Sequence, residues 1–131
     1  MKTQVEQARE GTITEQMMSV ARLENIDIEV LLSRVAKGSV VIMNREEYSV
    51  GIGKGLTTKV NVNIGTSSLK INPDEEVKKA KLAEKYGADT ITDLSMGGDI
   101  SEIRQKIFDN TRLPITTVPI YRPPPKKVLE T

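Results

Sequence analysis

The sequence contains no cysteine and no histidine. Without thiols there is no disulfide, no thiolate nucleophile, no iron–sulfur ligation and no cysteine-based zinc site, and without imidazole the commonest general base and metal ligand are gone. Catalysis by these 131 residues would rest on carboxylates, lysine, tyrosine, hydroxyls or a bound cofactor. Aromatics make up only 3% of the chain and hydrophobic residues 37%, so the core is aliphatic and modest for the length, which points to incomplete burial. A charge surplus is missing too. The 19 Lys and Arg are interleaved with 18 Asp and Glu, leaving no electrostatic case for nucleic acid or an anionic membrane. Long apolar runs are also absent: Val40-Val41-Ile42-Met43 falls far short of the roughly 20 residues a membrane span needs. Residues 2–10 are polar, with no signal-peptide core, so a soluble cytoplasmic protein is the expectation.

What is present reads as one domain's worth of chain that opens with helices. Thr14 is placed to cap a helix carrying Met17, Val20, Ala21 and Glu24 on one face and fading near Asn25. Asp27 caps the next, with Ile28, Leu31, Leu32 and Val35 at i, i+3, i+4, i+7 and Gly38 as its stop. Residues 39–43 form a β-prone run ended by a charged turn over residues 44–47. Gly51-Ile52-Gly53-Lys54-Gly55-Leu56 resembles a phosphate loop in its glycines, but Gly55 stands where a Walker A motif needs Ser or Thr, and Leu56 where the dinucleotide pattern needs its third glycine. A flexible turn is the expectation there.

From residue 57 the pattern becomes strand, helix, strand, helix, strand. Residues 58–64 alternate, with Val60, Val62 and Ile64 on one side and Lys59, Asn61 and Asn63 on the other. Asn72-Pro73-Asp74-Glu75-Glu76 starts a helix whose buried stripe is read as Val77, Ala80, Ala83 or Leu82, and Tyr86, ended by Gly87. Residues 88–94 make the next strand. Asp99 and Glu102 then have capping-box spacing for a helix with Ile100, Ile103 and Ile107, and Pro114 opens a strand over residues 115–120. This βαβαβ alternation predicts a parallel sheet whose polar strand ends, Asn61, Asn63, Thr92, Asp93 and Tyr121, gather at the carboxyl edge where such folds place ligands; a solvated edge is the alternative. Asp93 is read as a solvated or backbone-bonding carboxylate, with a base near Asn63 as the alternative. Asp89, read on the same strand face, is roughly 13 Å away by strand rise, too far for a shared-proton pair. Residues 122–127 (Arg-Pro-Pro-Pro-Lys-Lys) favour polyproline II in a disordered tail or a proline-rich ligand.

Several long blocks, taken together, resemble one family. These are Ala8-Arg9-Glu10-Gly11, Ile13-Thr14-Glu15-Gln16-Met17, Gly51 to Leu56, Thr58-Lys59-Val60-Asn61-Val62-Asn63-Ile64-Gly65-Thr66-Ser67, Tyr86-Gly87-Ala88-Asp89-Thr90, Asp93-Leu94-Ser95-Met96-Gly97-Gly98-Asp99, Glu102-Ile103-Arg104 and Thr117-Val118-Pro119-Ile120-Tyr121. In this order they resemble the phosphomethylpyrimidine synthase family of thiamine biosynthesis, the ThiC family. The resemblance implies a radical S-adenosylmethionine lyase on a (β/α)8 barrel. Such an enzyme converts aminoimidazole ribotide into hydroxymethylpyrimidine phosphate, with a [4Fe–4S] cluster on a cysteine motif and a zinc-type metal on histidines. It further implies substrate contacts at Asn63, Thr92 and Tyr121. Thr92 replaces the family's usual Met, Thr116 its Gly, and Arg122-Pro123 its Gln-Ala.

The expected architecture is therefore α/β: helices and a short strand in residues 1–50, a partial β/α barrel in residues 51–121 that cannot close alone, and the tail in residues 122–131. A closed barrel takes about 250 residues. The functional expectation is the amino-terminal part of such a synthase, holding part of a ribotide pocket without the catalytic centre and pairing with a second copy or a complementing chain. A small phosphate-ligand module using Gly97-Gly98 and the helix start at Asp99, and a structural or truncated product without activity, are the alternatives.

Overall fold

The computed structural model describes residues 2–121, with the side chain of Tyr121 outside the description, so the proline-rich segment over residues 122–127 lies outside it as well. The chain divides into two compact units. One runs up to Val60 and takes in Arg112–Pro114; the other runs from Asn61 to Thr111 and resumes at Ile115.

The first unit is built by local signals. Thr3 and Glu6 close a reciprocal capping box on α1 (Gln4–Arg9). The Thr14 side chain accepts the Met17 N–H to start α2 (Glu15–Glu24), which stops at Asn25 in a left-handed conformation, φ 50°. Asp27 accepts the Glu29 and Val30 N–H groups to start α3 (Ile28–Ala36). Capping of this kind contributes about 1 kcal/mol per helix. The apolar faces meet in a core of Met17, Val20, Ala21, Leu31, Val35 and Val40, closed over by Ala8.

Strand β1 (Val40–Arg45) pairs antiparallel with β2 (Tyr48–Gly53), Val40 opposite Gly53 and Arg45 opposite Tyr48. This corrects part of the expectation of a flexible turn over Gly51 to Leu56: Gly51 to Gly53 belong to a strand, whose hairpin turn is at Glu46 and Glu47, and the turn of this segment comes after it, at Lys54 and Gly55. Glycine lowers strand propensity, so only its partner strand makes this segment legible.

Beyond β2 the expected strand begins late. Thr57 and Lys59 are held instead by Glu24. Its carboxylate accepts the Thr57 N–H at 2.8 Å and pairs with Lys59 Nζ at 2.6 Å, both side chains about nine-tenths buried. Burial of Glu24 opposes its ionisation, but the hydrogen bonds from Lys59, from the Thr57 N–H and from the Thr57 hydroxyl outweigh it and hold its carboxyl below the usual range.

The second unit is the parallel α/β segment. Its sheet has the order β3-β4-β5, formed by β3 (Asn61–Ile64), β4 (Thr90–Asp93) and β5 (Ile115–Thr117). All pairing is parallel, with Asn61 opposite Thr90, Asn63 opposite Thr92, and Thr92 opposite Thr116. Helix α4 (Pro73–Lys85), capped by Asn72, links the first two strands, and α5 (Ile100–Phe108), capped by Asp99, links the last two. Such crossovers are what parallel neighbours require. Ile64, Ile91, Val77, Ala80, Ile103 and Ile107 are buried. The strands are shorter than alternation suggested, and β5 gives way to a 3-10 turn at Pro119–Tyr121. Tyr86 departs from its expected place on the buried stripe: it is 78% exposed, because the helix ends at Lys85 and Leu82 on the same side is also exposed. Strands β3 and β5 are each paired on one side only, so the sheet is open among the described residues. No helix among them is long and apolar enough to cross a membrane.

Candidate functional site

The register sorts the polar strand residues onto two opposite faces. Successive strand side chains alternate, so Asn61 and Asn63 share a face with Thr90, Thr92 and Thr116, while Ile64, Ile91 and Asp93 share the other. The first set forms a connected polar row across all three strands. Asn61 Nδ2 donates to Asn63 Oδ1 at 2.9 Å, and Asn61 Oδ1 accepts the hydroxyls of Thr90 at 2.9 Å and Thr92 at 3.0 Å. The Thr92 and Thr116 hydroxyls are 2.7 Å apart. Asn61 and Asn63 are exposed, Thr92 and Thr116 half-buried. An apolar core would have no use for such a row, whereas a small polar ligand would find donors and acceptors already ordered.

Of the three residues singled out for substrate contact, Asn63 and Thr92 occupy adjacent register positions. Tyr121 ends the 3-10 turn after β5, and its side chain lies outside the described residues. Asp93 faces away from Asn63, its side chain is 0% exposed, and it accepts the Ser95 N–H at 2.9 Å and Arg104 Nε at 2.9 Å. It is the backbone-bonding carboxylate of the two expectations and not a base beside Asn63. Asp89 precedes β4 and is not on the strand at all.

The loops after β3 and β4 are zipped together at the carboxyl edge. Thr66 Oγ1 donates to Gly97 O at 2.6 Å, the Thr66 N–H to Ser95 Oγ at 3.2 Å, and the Met96 N–H to Thr66 O at 2.9 Å. Buried Glu76 on α4 accepts the Gly65 N–H at 2.7 Å and pairs with Lys79 at 2.8 Å. Gly97 lies so close to the Ser67 carbonyl that an added Cβ would come within 2.4 Å of it. Its glycine thus serves backbone packing, while the Asp99 carboxylate already occupies the α5 start through the Glu102 N–H. Sequence reasoning missed the bond from Asn61 to Asn63, the extension of the row to Thr90 and Thr116, and Arg104 as the partner of Asp93. Strand parity carried the signal for the first group; no local signal carried the second.

Among the described residues no group of three or more His, Cys, Asp or Glu side chains could hold a metal ion. The arrangement can bind and orient a polar ligand, and the five side chains of the row are amides and hydroxyls.

Comparison with known proteins gives the family. Phosphomethylpyrimidine synthase of Methanocaldococcus jannaschii is 55% identical over 122 residues, covering 91% of this chain and 29% of that protein. The synthase of Pyrococcus furiosus is 50% identical over 124 residues, 92% of this chain and 29% of that protein. A 5-hydroxybenzimidazole synthase of Desulfuromonas acetoxidans is 48% identical over 125 residues, again 29% of its length. The chain thus spans under a third of the curated relatives it matches, at their amino-terminal part. With the profile of the Radical SAM ThiC family matched over residues 3–129, the chain belongs to that family.

Proposed function

We propose that this chain supplies part of the aminoimidazole ribotide site for thiamine pyrimidine synthesis, the reaction forming hydroxymethylpyrimidine phosphate, in the cytoplasm. Family membership supports the ligand class, and the observation that carries the reading is the polar row Asn61, Asn63, Thr90, Thr92 and Thr116 on the open face of the sheet. Asn63 is its ligand contact, Thr92 stands beside it, and Tyr121 belongs to the site by its place after β5. Relatives of both names have similar identity to this chain, so the proposal concerns the ligand held at this face and not the product made from it.

The lyase chemistry of the family belongs to a [4Fe–4S] cluster, S-adenosylmethionine and a zinc-type metal. The residues present do not fit the cluster or the metal: the sequence has no Cys or His, and the described acidic residues form no metal group. A (β/α)8 barrel would need further strands beside β3 and β5, and we infer that a second copy or a complementing chain covers those edges, since an unpaired edge invites pairing. Sedimentation should give a dimer or larger species; a monomer at all concentrations would count against this.

Titration calorimetry with aminoimidazole ribotide tests the site. Asn63→Ala is expected to weaken binding by about 1–3 kcal/mol, the cost of leaving a ligand polar group unpaired, with little change in folding stability. No binding by the parent chain at millimolar ribotide, or unchanged affinity in the variant, would overturn the reading.

A further inference from the structure

The row of polar side chains on the open face has a direction, set by the orientation of the Asn61 amide. Asn61 donates its Nδ2 hydrogen to Asn63 Oδ1, so its own Oδ1 points the other way and receives the Thr90 and Thr92 hydroxyls. Thr92 has one hydroxyl hydrogen, and Asn61 takes it. The 2.7 Å contact between Thr92 and Thr116 therefore takes its hydrogen from Thr116. The competing contact of Thr116 Oγ1 with Ile91 O is longer, at 3.4 Å. At the far end Asn63 Oδ1 is engaged, and its Nδ2 hydrogens have no partner among the described residues. The relay thus runs from acceptor lone pairs on Thr116 to an outward N–H on Asn63. An asparagine amide could present either end, because its two ends have nearly the same shape; here Asn61 stands with Oδ1 towards the two threonine hydroxyls and Nδ2 towards Asn63, which turns the Asn63 N–H outward.

We propose that Asn61, Thr92 and Thr116 are positioning residues that hold the Asn63 amide with its N–H outward, so that this face selects a ligand with a hydrogen-bond acceptor over Asn63 and a donor over Thr116. The two groups are two strand spacings apart, roughly 10 Å, within the span of a ribotide-sized molecule carrying an amine at one end and ring, hydroxyl or phosphate acceptors towards the other. This deepens the ribotide reading and rests on it for the ligand, though not for the relay itself.

The test uses the 131-residue chain labelled with 15N. Thr92→Val removes the hydroxyl at nearly constant shape, and Thr92→Ser restores it. Without any ligand, the Asn61 and Asn63 side-chain amides are expected to shift and exchange faster in the valine variant and to return toward the parent in the serine variant. Ribotide binding should fall about fivefold in the valine variant, the effect of losing one hydrogen bond, and recover with serine. Asn63→Asp still accepts from Asn61 but has no outward donor, and is expected to lose binding more than about tenfold with the fold intact. Parent-like amide signals in Thr92→Val, equal damage from serine and valine, or full affinity in Asn63→Asp would each overturn the relay. Failure of the parent to bind ribotide would overturn the functional reading alone, since the amide signals judge the relay without ligand.

Discussion

Gly65→Ala is expected to cost about 4 kcal/mol of folding stability, a large share of the roughly 5–15 kcal/mol that holds a domain of this size together. Gly65 follows β3 with φ at +147°, and a Cβ there would lie 2.5 Å from Ser95 N and 2.6 Å from Leu94 C. Backbone strain at such a dihedral contributes about 1–3 kcal/mol. Forcing the two loops apart adds about 1–3 kcal/mol, and separation would also lengthen the Gly65 to Glu76 hydrogen bond. Gly87→Ala is the companion: φ is +85° there, but nothing lies within 4 Å of the added methyl, so only the left-handed backbone penalty of about 1–2 kcal/mol applies. Urea denaturation of both variants measures the difference. Equal midpoints would mean that the contact between the two loops does not hold the carboxyl edge.

Asp93→Ala is expected to cost about 3 kcal/mol by the same measurement. Its carboxylate is fully buried, with one oxygen on the Ser95 N–H and the other on Arg104 Nε. Removing one partner of a buried pair costs about 3–5 kcal/mol, because the other is left uncompensated. Arg104 is 28% exposed, so water reaches part of its guanidinium and the lower end of that range applies. Asp93→Asn keeps an acceptor for one of the two donors and should lose less. Ribotide affinity of the folded Asp93 variants should stay close to the parent's, since Asp93 faces away from Asn63; a large loss in binding with unchanged stability would place Asp93 in the site after all.

Local chemistry made the helices legible. Thr14, Asp27, Asn72 and Asp99 each accept a backbone N–H at the helix start that their sequence context predicts, because capping acts within three residues. The parallel β3-β4-β5 order followed from strand and helix alternation. Strand extent did not follow. Val60 continues the alternation of β3 yet is 56% exposed, and the register with β4 begins at Asn61, because pairing is set by a partner some 30 residues away along the chain and Glu24 holds the preceding residues. Strand β2 was hidden by its glycines. At the site, Asn63 and Thr92 came from resemblance, and the alternation of residues 58–64 already put Asn61 and Asn63 on one face. The link through Asn61 to Thr92 and Thr116 depends on register, which no single strand encodes.

In the proposed function the open face of the sheet, and not another surface of the chain, receives the ribotide. Titrating aminoimidazole ribotide into the 15N-labelled chain and following every amide locates the contact directly. Saturable shifts centred on Asn61, Asn63, Thr90, Thr92 and Thr116 are expected, including the Asn63 side-chain amide. Shifts centred instead on the α5 start at Gly98 to Ile100, or on the basic cleft lined by Arg34, Lys37 and Lys54 in the first unit, would contradict it.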